Sequence, residues 1–194
     1  MNRTLAALMI SVAALSTTLA AAPALAQNAK GPTAVVSPQP LPIDDSRPRV
    51  FLGGSIDMGG APDWQAAMTS ALADMDVVIL NPRRPDWNPN WRPESDEPEF
   101  RRQVEWELAA LESADVIVMY FAPGTQSPIS LLEMGLHARG GKLIVLAPEG
   151  FWRKGNVDIT AQAYGVKQVR SLPELTAAVR EALSNAAARG RFAR

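Results

Sequence analysis

Short apolar runs alternate with longer segments of helical spacing, and this alternation restricts the possible fold more than any other feature. The apolar runs predict strands at 50–52, 77–80, 116–120, 142–147 and 166–169. Helical spacing of apolar residues predicts helices at 62–75, 99–112, 128–138 and 173–188. Short buried strands that alternate with helices are typical of an α/β fold with a parallel sheet covered on both faces.

About five strands of this kind fit a doubly wound, flavodoxin-like parallel sheet with helices on both faces. The carboxyl ends of parallel strands share one edge of the sheet, and ligands bind beyond that edge. The loops that follow the predicted strands are therefore expected to line one rim, at 53–60, 81–98, 121–127 and 147–157. Functional residues are expected in these loops and at the helix starts that follow them.

The first residues of the chain differ from the rest and predict a signal peptide at 1–26. Arg3 precedes an apolar and small-residue run at 5–20, and residues 24–26 have the small-x-small pattern that signal peptidase accepts. The run is short for a membrane span, although an uncleaved anchor remains the alternative. Residues 27–48, rich in Pro, Ala and Ser, predict a flexible leader, and 49–188 the domain. An exported protein, periplasmic or secreted, is therefore expected.

The composition excludes several kinds of site. With 19 basic and 20 acidic residues the chain is almost neutral, which argues against a nucleic-acid binder with a clustered basic face. The chain has no Cys and only one His, His137, so thiolate metal sites, a Cys nucleophile and a two-His metal site within one chain are excluded. The chemistry must use carboxylates, hydroxyls, amides and the backbone, and neither cofactor nor metal is predicted.

Glu133 is the most unusual ionisable residue of the sequence. Its neighbours in the predicted helix are apolar on nearly every side: Ile129, Leu132, Met134 and Leu136. A charged group there must be paired, hydrogen-bonded or exposed in a cleft. Ser127, just before Pro128 at the start of the same helix, is either an ordinary N-cap or a ligand-binding hydroxyl.

A second carboxylate, Glu107, interrupts the apolar stripe of the preceding helix. The stripe consists of Phe100, Val104 and Leu111. Two carboxylates directed towards one rim suit glycosyl chemistry, in which one attacks the anomeric carbon and the other handles the proton. The alternative is that Glu107 forms a structural ion pair with Arg84 or Arg101.

Further candidate binding residues lie after the predicted strands. Gly54 and Ser55 follow the first strand, where small residues allow a ligand to approach the backbone, although no dinucleotide or Walker motif is present. Asn81 ends the second strand, and Trp87 lies in the long loop at 82–98. A loop of this length is either a functional lid or a disordered insert, and its tryptophans favour a lid.

Taken together, these residues resemble the nucleoside 2-deoxyribosyltransferase superfamily, especially its deoxyribosyltransferase-like branch. The similarity runs from about Val50 to Val166. It includes the strand end at 51–56, Glu107 with the Ala-Asp pair at 114–115, and the Glu-Met-Gly segment at 133–135.

The resemblance implies that Glu133 is the nucleophile that attacks C1′ of a 2′-deoxynucleoside or nucleotide and forms a covalent deoxyribosyl-enzyme. It implies that Glu107 takes the place of an Asp that positions the sugar or protonates the base. Ser127 is similar to a Ser that helps to hold phosphate in the related deoxynucleoside 5′-monophosphate N-glycosidases. Gly54 and Ser55 would contact the sugar or base. As a separate hypothesis that does not come from the resemblance, Trp87 or Trp91 stacks on the base from the long loop.

The expected partner is therefore a small nucleoside or nucleotide, with no nucleic acid and no stable membrane span after signal cleavage. Relatives complete their sites across subunit contacts, which is compatible with a homo-oligomer. Two alternatives stay open. One is a non-catalytic module of the same fold that binds a nucleotide-like ligand, and the other is a glycosidase for a different ribosyl compound, such as a dinucleotide.

Overall fold

The computed structural model describes residues 31–57 and 60–192, so the signal peptide predicted at 1–26 and leader residues 27–30 lie outside the described residues. The regular elements follow in chain order: β1 (Thr33–Val36), β2 (Arg49–Gly54), α1 (Trp64–Ala71), β3 (Val78–Asn81), α2 (Pro98–Ser113), β4 (Val116–Tyr120), α3 (Pro128–His137), β5 (Leu143–Leu146), α4 (Lys154–Tyr164), β6 (Lys167–Val169) and α5 (Leu172–Phe192).

All six strands form one parallel sheet in the order β1-β3-β2-β4-β5-β6. The predicted α/β fold and its parallel sheet are confirmed, with six strands instead of about five. The five neighbouring strands β3-β2-β4-β5-β6 have the flavodoxin-like order, and β1 adds a sixth strand at the edge beside β3. The strand order reverses between β2 and β4, and this switch point is where such folds bind their ligands.

Apolar side chains fill both faces of the sheet, as the continuous apolar runs predict. Alternate residues of one strand point to opposite faces, so Phe51 of β2 packs towards α2, α3 and α4, whereas Leu52 packs towards α1 and α5. The two layers of helices thus bury the sheet and leave its carboxyl edge for the loops. In the part of the chain that the structure describes, no helix is long and apolar enough to cross a membrane.

The prediction of a flexible leader as far as residue 48 is wrong in the described part of that segment. Residues 33–36 form β1, which pairs with β3 so that Thr33 lies opposite Val78 and Val36 opposite Asn81. Only one side of an edge strand is paired, and β1 buries chiefly Val35. The segment therefore lacks the long apolar run that marks the central strands.

The helix α4 is absent from the sequence-based prediction, which places a loop at 147–157. Its first turn contains Gly155 and Asn156, both poor helix formers, and the helix buries only Val157 and Ala161. The signal that would reveal it is topological, because two parallel strands need a crossover connection between them. Helix α5 continues to Phe192, four residues beyond the end that the sequence predicts for this helix at residue 188.

Candidate active site

The candidate site lies at the switch point, where the chain leaves β2 and β4. Gly54 ends β2 with a φ of 128°, and a Cβ atom there would lie 2.2 Å from the carbonyl oxygen of Tyr120 in β4, so only glycine fits. The backbone N–H of Ser55 donates to the same carbonyl over 2.8 Å. This close approach brings the loop after β2 against the loop after β4.

Three hydroxyls meet where these loops touch, and we call Ser55, Thr125 and Ser127 the hydroxyl cluster. The oxygen of Ser55 lies 2.7 Å from that of Thr125 and 2.6 Å from that of Ser127. Backbone groups anchor the cluster, because Ala122 N–H donates to Ser55 over 2.8 Å and Thr125 donates to Ala122 O over 2.9 Å. Ser55 is fully buried, so a ligand reaches the cluster through the partly exposed Ser127.

Ser127 stands at the N-cap position of α3 but does not act as a cap. Its backbone is left-handed, with a φ of 45°, and its side chain makes no hydrogen bond to the first turn of the helix. The explanation of Ser127 as an ordinary N-cap is therefore excluded. Its hydroxyl is instead held towards Ser55 and Thr125, at the amino end of the helix that carries Glu133.

Glu133 lies on the inner face of α3 and is 7% exposed. Among the described residues no hydrogen bond or ion pair to its carboxyl group is found. Burial, and secondly the negative charge of Glu107, raise the pKa of Glu133 to about 8. Its surroundings differ from the prediction, because three of its four apolar neighbours face outward and only Met134 is buried: Ile129, Leu132 and Leu136 are 58%, 60% and 60% exposed.

Glu107 lies partly buried on α2, beside the face that buries Gln103, Trp106, Ala110 and Leu111. It accepts a hydrogen bond of 2.8 Å from the Gln103 side-chain amide. Burial raises the pKa of Glu107 to about 7, and the bond from Gln103 opposes that rise. The predicted stripe on this helix is displaced, since Val104 is 36% exposed.

The alternative in which Glu107 forms a structural ion pair is excluded by the partners of the two arginines. Arg84 pairs with Asp86 and Glu99, while Arg101 pairs with Glu105. The charge of Glu107 instead adds to the rise in the pKa of Glu133, and we call these two desolvated carboxyl groups, from successive helices, the carboxyl pair. Pairs of this kind are found at sites of proton transfer and nucleophilic attack.

The family model described as nucleoside 2-deoxyribosyltransferase like matches residues 47–151, a segment that includes the carboxyl pair and the hydroxyl cluster. The chain belongs to this family. It is also similar to a solved structure titled as a conserved protein from Enterococcus faecalis V583, with a TM-score of 0.52 and 10% identity over 70% of this chain and 98% of that chain. That likeness supports the fold alone. No curated protein matches the sequence.

Two other candidate residues are Asn81, the last residue of β3, and Trp87, in the loop that follows β3. Asn81 accepts a hydrogen bond of 3.0 Å from the backbone of Arg83, which shapes the start of the loop. Trp87 packs edge to face against Trp91 with ring centres 5.2 Å apart, and the Arg84 guanidinium lies 4.7 Å from the Trp91 ring. Trp87 therefore packs against Trp91, a residue of its own loop.

Three site residues escape the sequence-based prediction. Thr125 joins the hydroxyl cluster only through the meeting of two loops. Gln103 precedes Glu107 by one helical turn, and that spacing is the signal that would reveal it. Trp152 is 53% exposed and donates from its indole to the carbonyl of Gln126 over 3.0 Å, beside Ser127. Within residues 31–57 and 60–192, no cluster of three or more potential metal ligands occurs.

Proposed function

We propose that this member of the family breaks the N-glycosidic bond of a 2′-deoxynucleoside or nucleotide, with Glu133 as nucleophile. The observation that carries the proposal is the desolvated carboxyl pair, together with the hydroxyl cluster at the amino end of the helix that carries Glu133. Burial raises both pKa values, and the charge of Glu107 adds to the rise at Glu133, so the pair holds one proton close to neutral pH. In the molecules in which Glu107 carries that proton, Glu133 is ready to attack and Glu107 is ready to donate.

In the first step the ionised Glu133 attacks C1′ while the bond from C1′ to the base nitrogen breaks. The electron pair of that bond leaves with the base, and the leaving base takes a proton from Glu107. The product is a glycosyl ester on Glu133. In the second step water or an acceptor base attacks C1′, Glu107 takes a proton from it, and the carboxylate of Glu133 is released.

The hydroxyl cluster supports recognition of the sugar or of a 5′-phosphate. Because Thr125 donates its proton to Ala122 O, Ser55 donates to Thr125 and Ser127 donates to Ser55 in the free protein. In that arrangement Ser127 accepts from a sugar hydroxyl, and rotation of its hydroxyl lets it donate to a phosphate, an anion that the amino end of α3 favours. A loss of activity in Ser127→Ala that is confined to 5′-monophosphates would identify the phosphate as its partner.

Intact-protein mass spectrometry after incubation with a pool of deoxynucleosides and their monophosphates tests the proposed function. We expect a deoxyribosyl adduct and free base with the wild type. Glu133→Gln should form neither, whereas the control Glu105→Gln, an exposed carboxylate of the same helix as Glu107, should behave as the wild type. Wild-type protein that releases no base from any of these compounds contradicts the proposal.

A second candidate is a non-catalytic module that binds a nucleotide-like ligand. It is favoured by the pKa of about 8, which leaves Glu133 protonated at neutral pH in the free protein and a poor nucleophile. Thermal stabilisation by a ligand without turnover, persisting in Glu133→Gln, would support it. A glycosidase for another ribosyl compound, such as a dinucleotide, would instead be recognised from the products of labelled substrates.

Export to the periplasm or the medium is part of the proposal and is supported by the pattern at residues 1–26. Free deoxynucleotides are scarce outside the cytoplasm, so export bears on which ligand the protein meets. Protein recovered from the periplasmic fraction with Gln27 as its first residue would establish cleavage after Ala26. An uncut chain in the membrane fraction would favour the anchor instead.

A further inference from the structure

We propose that Gln103 is a positioning residue for Glu107 and that Ser37, from the segment after β1, holds Gln103 in turn. The inference rests on the proposed function, because it concerns the proton-handling member of the carboxyl pair. Gln103 is 5% exposed and Ser37 is 3% exposed, so both lie beneath the site and away from solvent. Each acts through a hydrogen bond and touches no substrate.

The amide group of Gln103 uses all its main hydrogen-bonding directions. Its nitrogen donates to Glu107 over 2.8 Å and to the carbonyl oxygen of Pro82 over 2.9 Å, and its oxygen accepts from the Ser37 hydroxyl over 2.6 Å. A flipped amide would set its oxygen against the carbonyl of Pro82, where two acceptors would repel. The carbonyl of Pro82 therefore selects one orientation, in which an N–H group faces Glu107 and Ser37 donates to the amide oxygen.

This N–H group has two effects on Glu107. It fixes one carboxyl oxygen, so the other oxygen is the one that exchanges a proton. It also favours the ionised form, which opposes the effect of burial on the pKa. The ionisable group coupled to Glu107 from the neighbouring helix is Glu133. Gln103 thus holds the pKa of Glu107 below that of Glu133.

Ser37 connects this arrangement to the edge of the sheet. Its backbone N–H donates to Asn81 O over 3.0 Å and so continues the pairing of β1 with β3. A second bond joins the same segment to α2, since Trp106 donates from its indole to Gln39 O over 2.7 Å. That second bond anchors the segment without a hydrogen bond to Glu107, which makes Trp106 a matched control.

The direct test is a carbon-13 NMR titration of the glutamate carboxyls in the free protein, assigned with Glu107→Gln and Glu133→Gln. Gln103→Met keeps the side-chain volume and removes the donor, and we expect it to raise the pKa of Glu107 by about one pH unit. Ser37→Ala should raise it by less, and Trp106→Phe should leave it unchanged. An unchanged pKa in Gln103→Met, or an equal rise in Trp106→Phe, would overturn the inference.

Activity provides the second readout. We expect Gln103→Met to lower kcat on the order of tenfold to a hundredfold, with KM nearly unchanged. The pH profile of kcat should move to higher pH. A loss carried by KM alone would contradict a positioning role. If Gln103→Met does not fold, Ser37→Ala supplies the same measurements. Wild-type protein without base release would refute the proposed function, whereas the titration would still decide whether Gln103 controls Glu107.

Discussion

Helices α3 and α5 bury opposite kinds of surface. In α5 the apolar residues Leu175, Val179 and Leu183 recur at helical spacing and are fully buried. In α3 the inner face carries Ser130, Glu133 and Met134, and the outer face carries an apolar stripe of Ile129, Leu132 and Leu136, each more than half exposed. A helix on a protein surface normally turns its apolar stripe inward. In α3 this arrangement is reversed, so that a hydroxyl and a carboxyl lie on the buried face, and this supports a role of that face in the proposed site.

The largest expected contrast compares the centres of the two apolar stripes. Val179→Asp should lower the free energy of unfolding by roughly 4 kcal/mol, because it places a carboxylate in the core. Leu132→Asp should change the free energy of unfolding by no more than about 0.5 kcal/mol, because the side chain is largely exposed. Urea denaturation measures both. A similar loss in the two variants would show that the outer face of α3 is covered in the monomer.

The second contrast concerns the charge that α3 buries. The pKa of Glu133 rises from the ordinary 4.5 to about 8 on folding, so the folded chain retains a proton that the unfolded chain loses. The resulting penalty is absent below about pH 4 and grows as the pH rises from 4.5 to about 8.

Glu133→Gln should therefore stabilise the fold at pH 8, by on the order of 2 kcal/mol, and lose this advantage towards pH 4. Thermal unfolding at several pH values measures the difference. Glu105→Gln is the matched control, because it removes an exposed carboxylate by the same substitution. If Glu133→Gln is no more stable than the wild type at pH 8, ionisation of the Glu133 carboxyl in the folded wild type costs no free energy.

The third contrast is the pH dependence of activity. Attack requires one ionised carboxyl and proton transfer requires one that is protonated, so kcat/KM for base release should be bell-shaped. The optimum should lie between about 7 and about 8, the two raised pKa values. Below that range kcat/KM should fall about tenfold for each pH unit. A profile that stays flat down to pH 5 would remove the carboxyl pair from the mechanism.

The same contrast separates what sequence patterns predict from what they miss. The helix α5 is predicted by the spacing of its apolar stripe, and the central strands are predicted by their continuous apolar runs. Both patterns are visible because these residues form the core between the sheet and its helices. Glu133 and Glu107 stand out as charges among apolar residues, although three of the four apolar residues around Glu133 in the sequence point outward. Ser37 is invisible by this criterion, because its partner Gln103 comes from a distant segment. Only the one-turn spacing from Glu107 points to Gln103, whose other partners are also distant in sequence. An edge strand such as β1 gives too weak a pattern to identify.

The smallest effect on the monomer is expected from the outer stripe of α3, and it tests the expectation of a homo-oligomer. Ile129→Gln combined with Leu136→Gln should change the monomer's free energy of unfolding by about 0.5 kcal/mol or less, since both side chains are exposed. Exposed apolar patches often mark contact surfaces, and we expect the wild type to sediment as an oligomer that the double variant weakens. Glu105→Gln, on the exposed face of α2, is the control. A wild type that sediments as a monomer at the same concentration would contradict this expectation, and the inverted face of α3 would then reflect the demands of the carboxyl pair alone.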